Sequence, residues 1–172
     1  MEDTTTGKFQ KTIYAGTAIT ASSSSFSDCS GQDELWKSAR LNSHEYLMST
    51  NCIYRLRMNG DGNLVLQERD AQSQYSIGKW KTKTQGQGTG PYRLTMQADN
   101  NLVLYDSLSN PLWETYTANQ GAPEPKAKLH DDGSFVVYDG QGVALWSTNT
   151  QGEQSSSFNV QRFDNIVANA TM

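Results

Sequence analysis

Residues 97–105 read Gln97-Ala98-Asp99-Asn100-Asn101-Leu102-Val103-Leu104-Tyr105, and the skeleton of that stretch occurs three times in the chain. The other copies are Asn59-x-Asp61-x-Asn63-x-Val65 and His130-x-Asp132-x-Ser134-x-Val136. Each copy runs on to Trp-x-Thr-x-Thr, at Trp80/Thr82/Thr84, Trp113/Thr115/Thr117 and Trp146/Thr148/Thr150. The aspartates lie 38 and 33 residues apart and the tryptophans 33 and 33. A repeat of this period is one supersecondary unit used three times.

The unit is made of strands. Residues 92–97 alternate apolar and polar, as a half-buried strand does. Asp99-Asn100 marks a turn, and residues 101–105 return as a second strand. Ser109-Asn110-Pro111 marks the next turn, before a third strand over 112–117. The outer units follow this plan: 53–58 turns through Gly60-Asp61-Gly62 into 64–66, and 126–130 turns through Asp131-Asp132-Gly133 into 135–138. Leu35-Trp36-Lys37 reads as a further Trp strand that closes the first unit. The boundaries expected are an N-terminal extension over 1–34, a domain over 35–150 and a C-terminal extension over 151–172. Within the domain the repeats cover about 35–84, 85–117 and 118–150. Both extensions carry strand-like stretches, at 9–19 and 158–167, and Asn169-Ala170-Thr171 is a glycosylation sequon.

Composition narrows the function. The 172 residues carry 14 basic and 18 acidic side chains, a net charge of −4, with no basic cluster in the sequence. That argues against a nucleic-acid binder. No apolar run has the length of a membrane span, so membrane insertion is not expected. The polar start at Met1-Glu2-Asp3 is not a secretory leader, which leaves secreted and cytoplasmic locations both open. Cys29 and Cys52 are the only cysteines; they suit one disulfide or two buried thiols. With His44 and His130 far apart, they make a poor metal set, so no metal or other cofactor is expected. Neither a nucleophile elbow nor a phosphate loop is present, so catalysis is not expected.

The middle motif, with Asn101-Leu102-Val103-Leu104-Tyr105-Asp106 and Pro111-Leu112-Trp113 around it, resembles the bulb-type (monocot, snowdrop-like) mannose-binding lectin family over about residues 35–150. The resemblance implies an all-β fold, a type II β-prism of three four-stranded antiparallel sheets about a pseudo-threefold axis. Repeat physics agrees: one unit cannot bury its apolar face alone, whereas three around an axis can. Trp80, Trp113 and Trp146, one per unit, are expected to fill that axis.

The resemblance also implies a metal-independent sugar site. Asp99 and Asn101 would hold the axial 2-hydroxyl of mannose, Gln97 the 3-hydroxyl and Tyr105 the 4-hydroxyl, with Val103 against the ring. These residue types suit the task, because a pyranose needs acceptors and donors fixed on a rigid face with one apolar contact. The bland alternative is that Asp99 and Asn101 only shape the turn. The outer sites depart from the pattern. In the first (Asn59, Asp61, Asn63, Val65), Asn replaces Gln and Gln67 replaces Tyr. In the third (His130, Asp132, Ser134, Val136, Tyr138), His replaces Gln and Ser replaces Asn. Both are expected to bind weakly or not at all. The function expected is therefore calcium-independent recognition of mannose-rich glycans or glycoproteins through the middle repeat, by a homodimer that exchanges its C-terminal strand. The alternative is a non-catalytic protein-interaction or structural module on the same fold.

Overall fold

A computed structural model describes residues 31–152, apart from 71 and 73. Twelve strands and no helix are assigned among these residues. They are β1 (Glu34–Trp36), β2 (Arg40–Asn42), β3 (Tyr46–Met48), β4 (Tyr54–Met58), β5 (Leu64–Arg69), β6 (Tyr75–Lys81), β7 (Arg93–Met96), β8 (Leu102–Tyr105), β9 (Pro111–Glu114), β10 (Lys126–Leu129), β11 (Phe135–Tyr138) and β12 (Ala144–Ser147). They form three four-stranded antiparallel sheets, ordered β3-β4-β5-β6, β2-β7-β8-β9 and β1-β10-β11-β12. This is the prism that the family resemblance implies.

One expectation is corrected. Leu35-Trp36-Lys37 does not close the first unit. The first three strands are dealt out one to each sheet: β1 pairs with β10 of the third unit, β2 with β7 of the second, and only β3 stays with the first. Trp36 is about half exposed and carries the Lys126 ammonium 4.7 Å from its ring centre. The inward residue of β1 is Leu35. A three-residue strand has an inside and an outside in its sequence but no statement of its partner. The strand-like stretches at 9–19 and 158–167, Cys29 and the sequon at Asn169 lie outside the described residues.

The core follows from period-2 alternation. Three cross-strand layers point to the axis: Leu47/Leu56/Leu66, Leu41/Leu94/Leu104 and Leu35/Ala127/Val137, each in Cα register. All nine side chains are at most 2% exposed, and each buried leucine contributes roughly 1.5–3 kcal/mol of transfer free energy. Trp80, Trp113 and Trp146 close the layers as an edge-to-face triangle, with ring centroids 5.5, 5.7 and 5.4 Å apart and interplanar angles of 70–73°. Such geometry sets the positive edge of one indole against the negative face of the next.

Two turn glycines show how adjacent units lock. Gly62 has φ +88°, and a Cβ there would come within 2.8 Å of the Tyr92 ring from the neighbouring unit. Gly133, at φ +83°, meets Tyr54 in the same way. The middle unit has Asn100 at this position, with φ 76°. Asparagine tolerates that conformation, and its side-chain amide donates to the carbonyls of Gln120 and Ala122.

Candidate functional site

Each candidate site is a hairpin turn with its flanking strand ends, and the same device builds all three. The aspartate Oδ1 accepts the backbone N–H two residues on: Asn63 N to Asp61 at 3.0 Å, Asn101 N to Asp99 at 3.0 Å and Ser134 N to Asp132 at 2.8 Å. These are Asx turns, so the turn-shaping role of the aspartates is present in every unit. The chain after each tryptophan then comes back to the aspartate carbonyl through Gly86, Asn119 and Gly152 N–H groups.

The threonines of Trp-x-Thr-x-Thr hold the turn from below. The third strand of the middle unit, expected over 112–117, ends at Glu114. Residues Lys83, Tyr116 and Asn149, equivalent in the three units, all adopt positive φ. That kink turns both threonines inward. Thr115 Oγ1 accepts the Leu102 N–H at 3.0 Å and faces Asn101 Oδ1 at 3.0 Å and Thr117 Oγ1 at 2.8 Å. Thr117 Oγ1 donates to the Asn100 carbonyl at 2.7 Å, and its backbone N–H donates to Asn101 Oδ1 at 3.2 Å. A hydroxyl has one proton, so Thr115 shares its own between Thr117 and Asn101. The result fixes Asn101 with its oxygen inward and its NH2 outward. Thr82 and Thr84 treat Asn63 alike.

Above this base the middle unit brings together Gln97, Asp99, Asn101 and Tyr105. Gln97 Nε2 donates to the Tyr105 hydroxyl at 2.7 Å. The Arg93 guanidinium lies 5.0 Å from the Tyr105 ring centre and is anchored on the Asp106 carbonyl and the Ser109 hydroxyl. Val103 lies on the same face but is only 2% exposed, so it forms the floor under the polar groups. One residue was missed by sequence reading. Glu114 is the Cα partner of Val103, and its Oε2 accepts from Asn101 Nδ2 at 2.6 Å. It fills the variable position after the tryptophan, where the other units carry Lys81 and Ser147.

The outer sites differ in chemistry. In the third, His130 Nε2 and the Tyr138 hydroxyl are 2.9 Å apart, reproducing the Gln97–Tyr105 contact. Ser134 Oγ turns back onto Asp132 at 2.6 Å, and Val136 is buried. Burial works to raise the Asp132 pKa, but the Ser134 hydroxyl and amide and the His130 charge outweigh it, and the carboxyl is held below its ordinary value. In the first, Gln67 is taken by Arg55 Nη2 at 3.0 Å, and Val65 is only half-buried. A depression of about 630 Å³ opens beside Val65, walled by Asn63, Gly78, Trp80, Lys81 and Lys83 among others. Among the described residues no three His, Cys, Asp or Glu side chains are grouped to hold a metal ion.

Solved structures with this fold are numerous. Mannose-binding lectins from the monocot Gastrodia elata match 70% of this chain and 100% of their own at 29% identity, with a TM-score of 0.61. This chain is similar to the bulb-type mannose-binding lectins. The snowdrop (Galanthus nivalis) mannose-specific agglutinin, solved with methyl α-mannoside, covers 70% of this chain and 99% of its own at 28% identity and TM-score 0.55. A Marasmius oreades lectin matches 70% of this chain and 92% of its own at 27% identity and TM-score 0.61. No family model matches the sequence, and no curated protein matches it. The likeness to the bulb-type fold thus lies in the prism, with a well diverged sequence.

Proposed function

We propose that the chain is a non-catalytic, calcium-independent lectin that binds terminal α-mannose through the hairpin of its middle unit. Gln97, Asp99, Asn101 and Tyr105 supply the hydrogen bonds, over the floor of Val103. The observation that carries this reading is the pairing of Gln97 with Tyr105 beside an Asn101 whose oxygen is clamped by Thr115 and Thr117 and whose NH2 turns towards Glu114. A rigid fan of donors and acceptors meets a ring of hydroxyls without first being ordered. The solved relatives that bind mannosides support it. The outer sites contribute little mannose binding: one has lost its tyrosine and the other its asparagine.

A site this shallow gives a dissociation constant near millimolar, about 4 kcal/mol, and useful affinity comes from several sites on one branched glycan. A homodimer is the natural carrier, although the Gastrodia relatives are described as monomeric; light scattering at micromolar concentration decides the point. Calorimetric titration with methyl α-mannoside and a branched oligomannose, with and without EDTA, tests the function. The control is Asp99→Asn, which keeps Oδ1 for the Asx turn, together with Tyr105→Phe. Saturable heat lost in the controls and indifferent to EDTA is expected; no heat from folded protein overturns the reading. One observation favours the protein-interaction alternative: Glu114 already occupies the Asn101 amide that a mannoside must use.

A further inference from the structure

The four strands of each sheet present one row of outward side chains in register with the site valine, and the three rows can be compared position by position. In the middle unit the row is Arg40, Thr95, Val103, Glu114. In the third it is Glu34, Lys128, Val136, Ser147. In the first it is Tyr46, Arg57, Val65, Lys81. The first two rows each hold one cation and one anion. The first unit's row holds two cations and no anion, and Lys83, Arg55 and Arg69 stand on the same sheet or its edge.

Of the acids near this row only Glu68 meets a cation, and the others turn to neutral donors of their own turns. Glu68 pairs with Lys79 at 3.0 Å. Glu45 accepts from Asn42, and Asp70 from Ser76 and the Gln72 and Gln74 amides. Asp61 caps its own turn. By contrast, the lysines of the third unit are answered by β1: Lys126 and Lys128 reach Glu34 at 2.9 and 3.0 Å, and Lys128 reaches Asp33 at 3.1 Å. Among the described residues Arg57, Lys81 and Lys83 have no ion pair. Arg57 Nε and Arg55 Nε are shielded from solvent with no hydrogen-bond acceptor. A shielded guanidinium donor without an acceptor costs stability, and two of them stand on alternate residues of β4. Arg55 is held between Tyr46 and Tyr75, 5.9 and 4.3 Å from the ring centres, so it cannot swing away to water. Burial, and then Arg57, pulls its pKa below the ordinary arginine value. Arg57, Lys81 and Lys83 together form a positive surface with no anion paired to it among the described residues.

We propose that the first-unit depression is a binding site for an anionic saccharide, an oligosaccharide bearing carboxylate or sulfate groups. This rests on the reading that the hairpin faces of this prism bind glycans. Asp61 and the Asn63 amide meet ring hydroxyls at the turn. Asn63 Oδ1 is held by Thr82 and Thr84, but no acid sits at the position of Glu114 to take its NH2. The carboxylate or sulfate lies across Val65 between Arg57 and Lys81, with Lys83 at the rim. Those two cations are two strand spacings apart, about 10 Å, the span of a disaccharide. Arginine is suited to fork onto a carboxylate or sulfate. The unit that lost the mannose tyrosine thus gained a different specificity.

The test is a ¹H–¹⁵N NMR titration of the full chain at low salt with three probes: a hyaluronan tetrasaccharide (carboxylate only), a heparin-derived tetrasaccharide (sulfate and carboxylate) and methyl α-mannoside. At least one acidic probe is expected to give saturable shifts at Val65, Gly78, Lys81 and Lys83, weakening steeply with added salt. Whichever binds more tightly tells carboxylate from sulfate. Arg57→Thr with Lys81→Ser installs residues found in the other units; it is expected to weaken the acidic probe at least tenfold, while Lys81→Arg retains it. Methyl α-mannoside shifts at Asn101 and Tyr105 stay unchanged in all these variants, so a failure of the mannose reading is seen separately. The proposal is overturned by no saturable shift with either acidic probe, by shifts indifferent to the double variant in a protein whose spectrum is otherwise intact, or by equal affinity for an oligothymidylate of matched charge.

Discussion

Thr115→Val removes one oxygen from a buried side chain and replaces it with a methyl group of nearly the same shape. Thr115 is 6% exposed and Leu102 fully buried. The variant leaves the Leu102 N–H, which points at Thr115 Oγ1 from 3.0 Å, with no acceptor. An orphaned buried donor costs about 1–3 kcal/mol. The Asn101 oxygen also loses one of its two anchors, at about 0.5–1.5 kcal/mol. A total near 3 kcal/mol against a urea slope near 2 kcal/mol per molar lowers the unfolding midpoint by about 1–1.5 M. Thr148→Val in the third unit is the internal control. It orphans the Phe135 N–H in the same way, but Ser134 bonds to Asp132 and not to Thr148. Its midpoint should fall less, by the share of the Asn101 anchor. The two variants separate further in calorimetry: methyl α-mannoside binding weakens about 2- to 10-fold in Thr115→Val, the equivalent of one net hydrogen bond, and is unchanged in Thr148→Val. Equal effects of the two on sugar binding, or an unshifted midpoint for Thr115→Val, would refute the idea that the threonines position Asn101.

Glu114→Ser frees the Asn101 amide from its internal competitor and should tighten methyl α-mannoside binding about 2- to 10-fold; weaker binding in calorimetry would mean that Glu114 itself holds the sugar. Gly62→Ala forces a β-carbon against Tyr92 at positive φ and should cost about 1–3 kcal/mol in urea unfolding, whereas Asn100→Gly is close to neutral for backbone strain and loses only its two side-chain bonds. Asp70, Asp106 and Asp139, equivalent in the three units, have carboxyls held below their ordinary values, chiefly by the Ser76 hydroxyl, the Asn110 amide and the Ala122 backbone N–H respectively. A lowered folded pKa stabilises above the unfolded value, about 3.9, and that stability is lost as pH falls through the folded values. The unfolding midpoint should therefore hold from neutral pH to about 5 and decline below about 4, less steeply in Asp139→Asn.

The hairpins and the Trp triangle could be read in the sequence because each is a local pattern recurring at a fixed period. Strand alternation told inside from outside, and Asp99-Asn100 told where the chain turns. What escaped depended on neighbours in space. Trp36 looked like its three namesakes, but the partner of a three-residue strand is chosen by the tertiary packing, and β10 turned it outward. Thr115 and Thr117 read as continuing strand because their alternate spacing is that of a strand; the kink at Tyr116 is a backbone event in a residue that does not advertise it. The triple recurrence of both threonines was the available signal that they do more than extend an edge. Glu114 fell in a position that varies from unit to unit, and variation conceals just those residues that distinguish one site from another. Arg57 and Lys81, 24 positions apart in the chain, become a pair only across β5.

The dealing of β1, β2 and β3 to three different sheets has a consequence for how the chain comes into being. A ribosome delivers the chain from its N-terminus, and Leu35 emerges long before Ala127, its partner in the register. None of the middle and third sheets can be completed from its own contiguous segment, so the earliest-made strands wait longest for their hydrogen bonds. Such non-local pairing slows folding. It also makes the finished domain hard to truncate: removal of residues 34–42 takes an edge from two sheets at once, and a separately supplied peptide of that sequence is the natural piece to restore them.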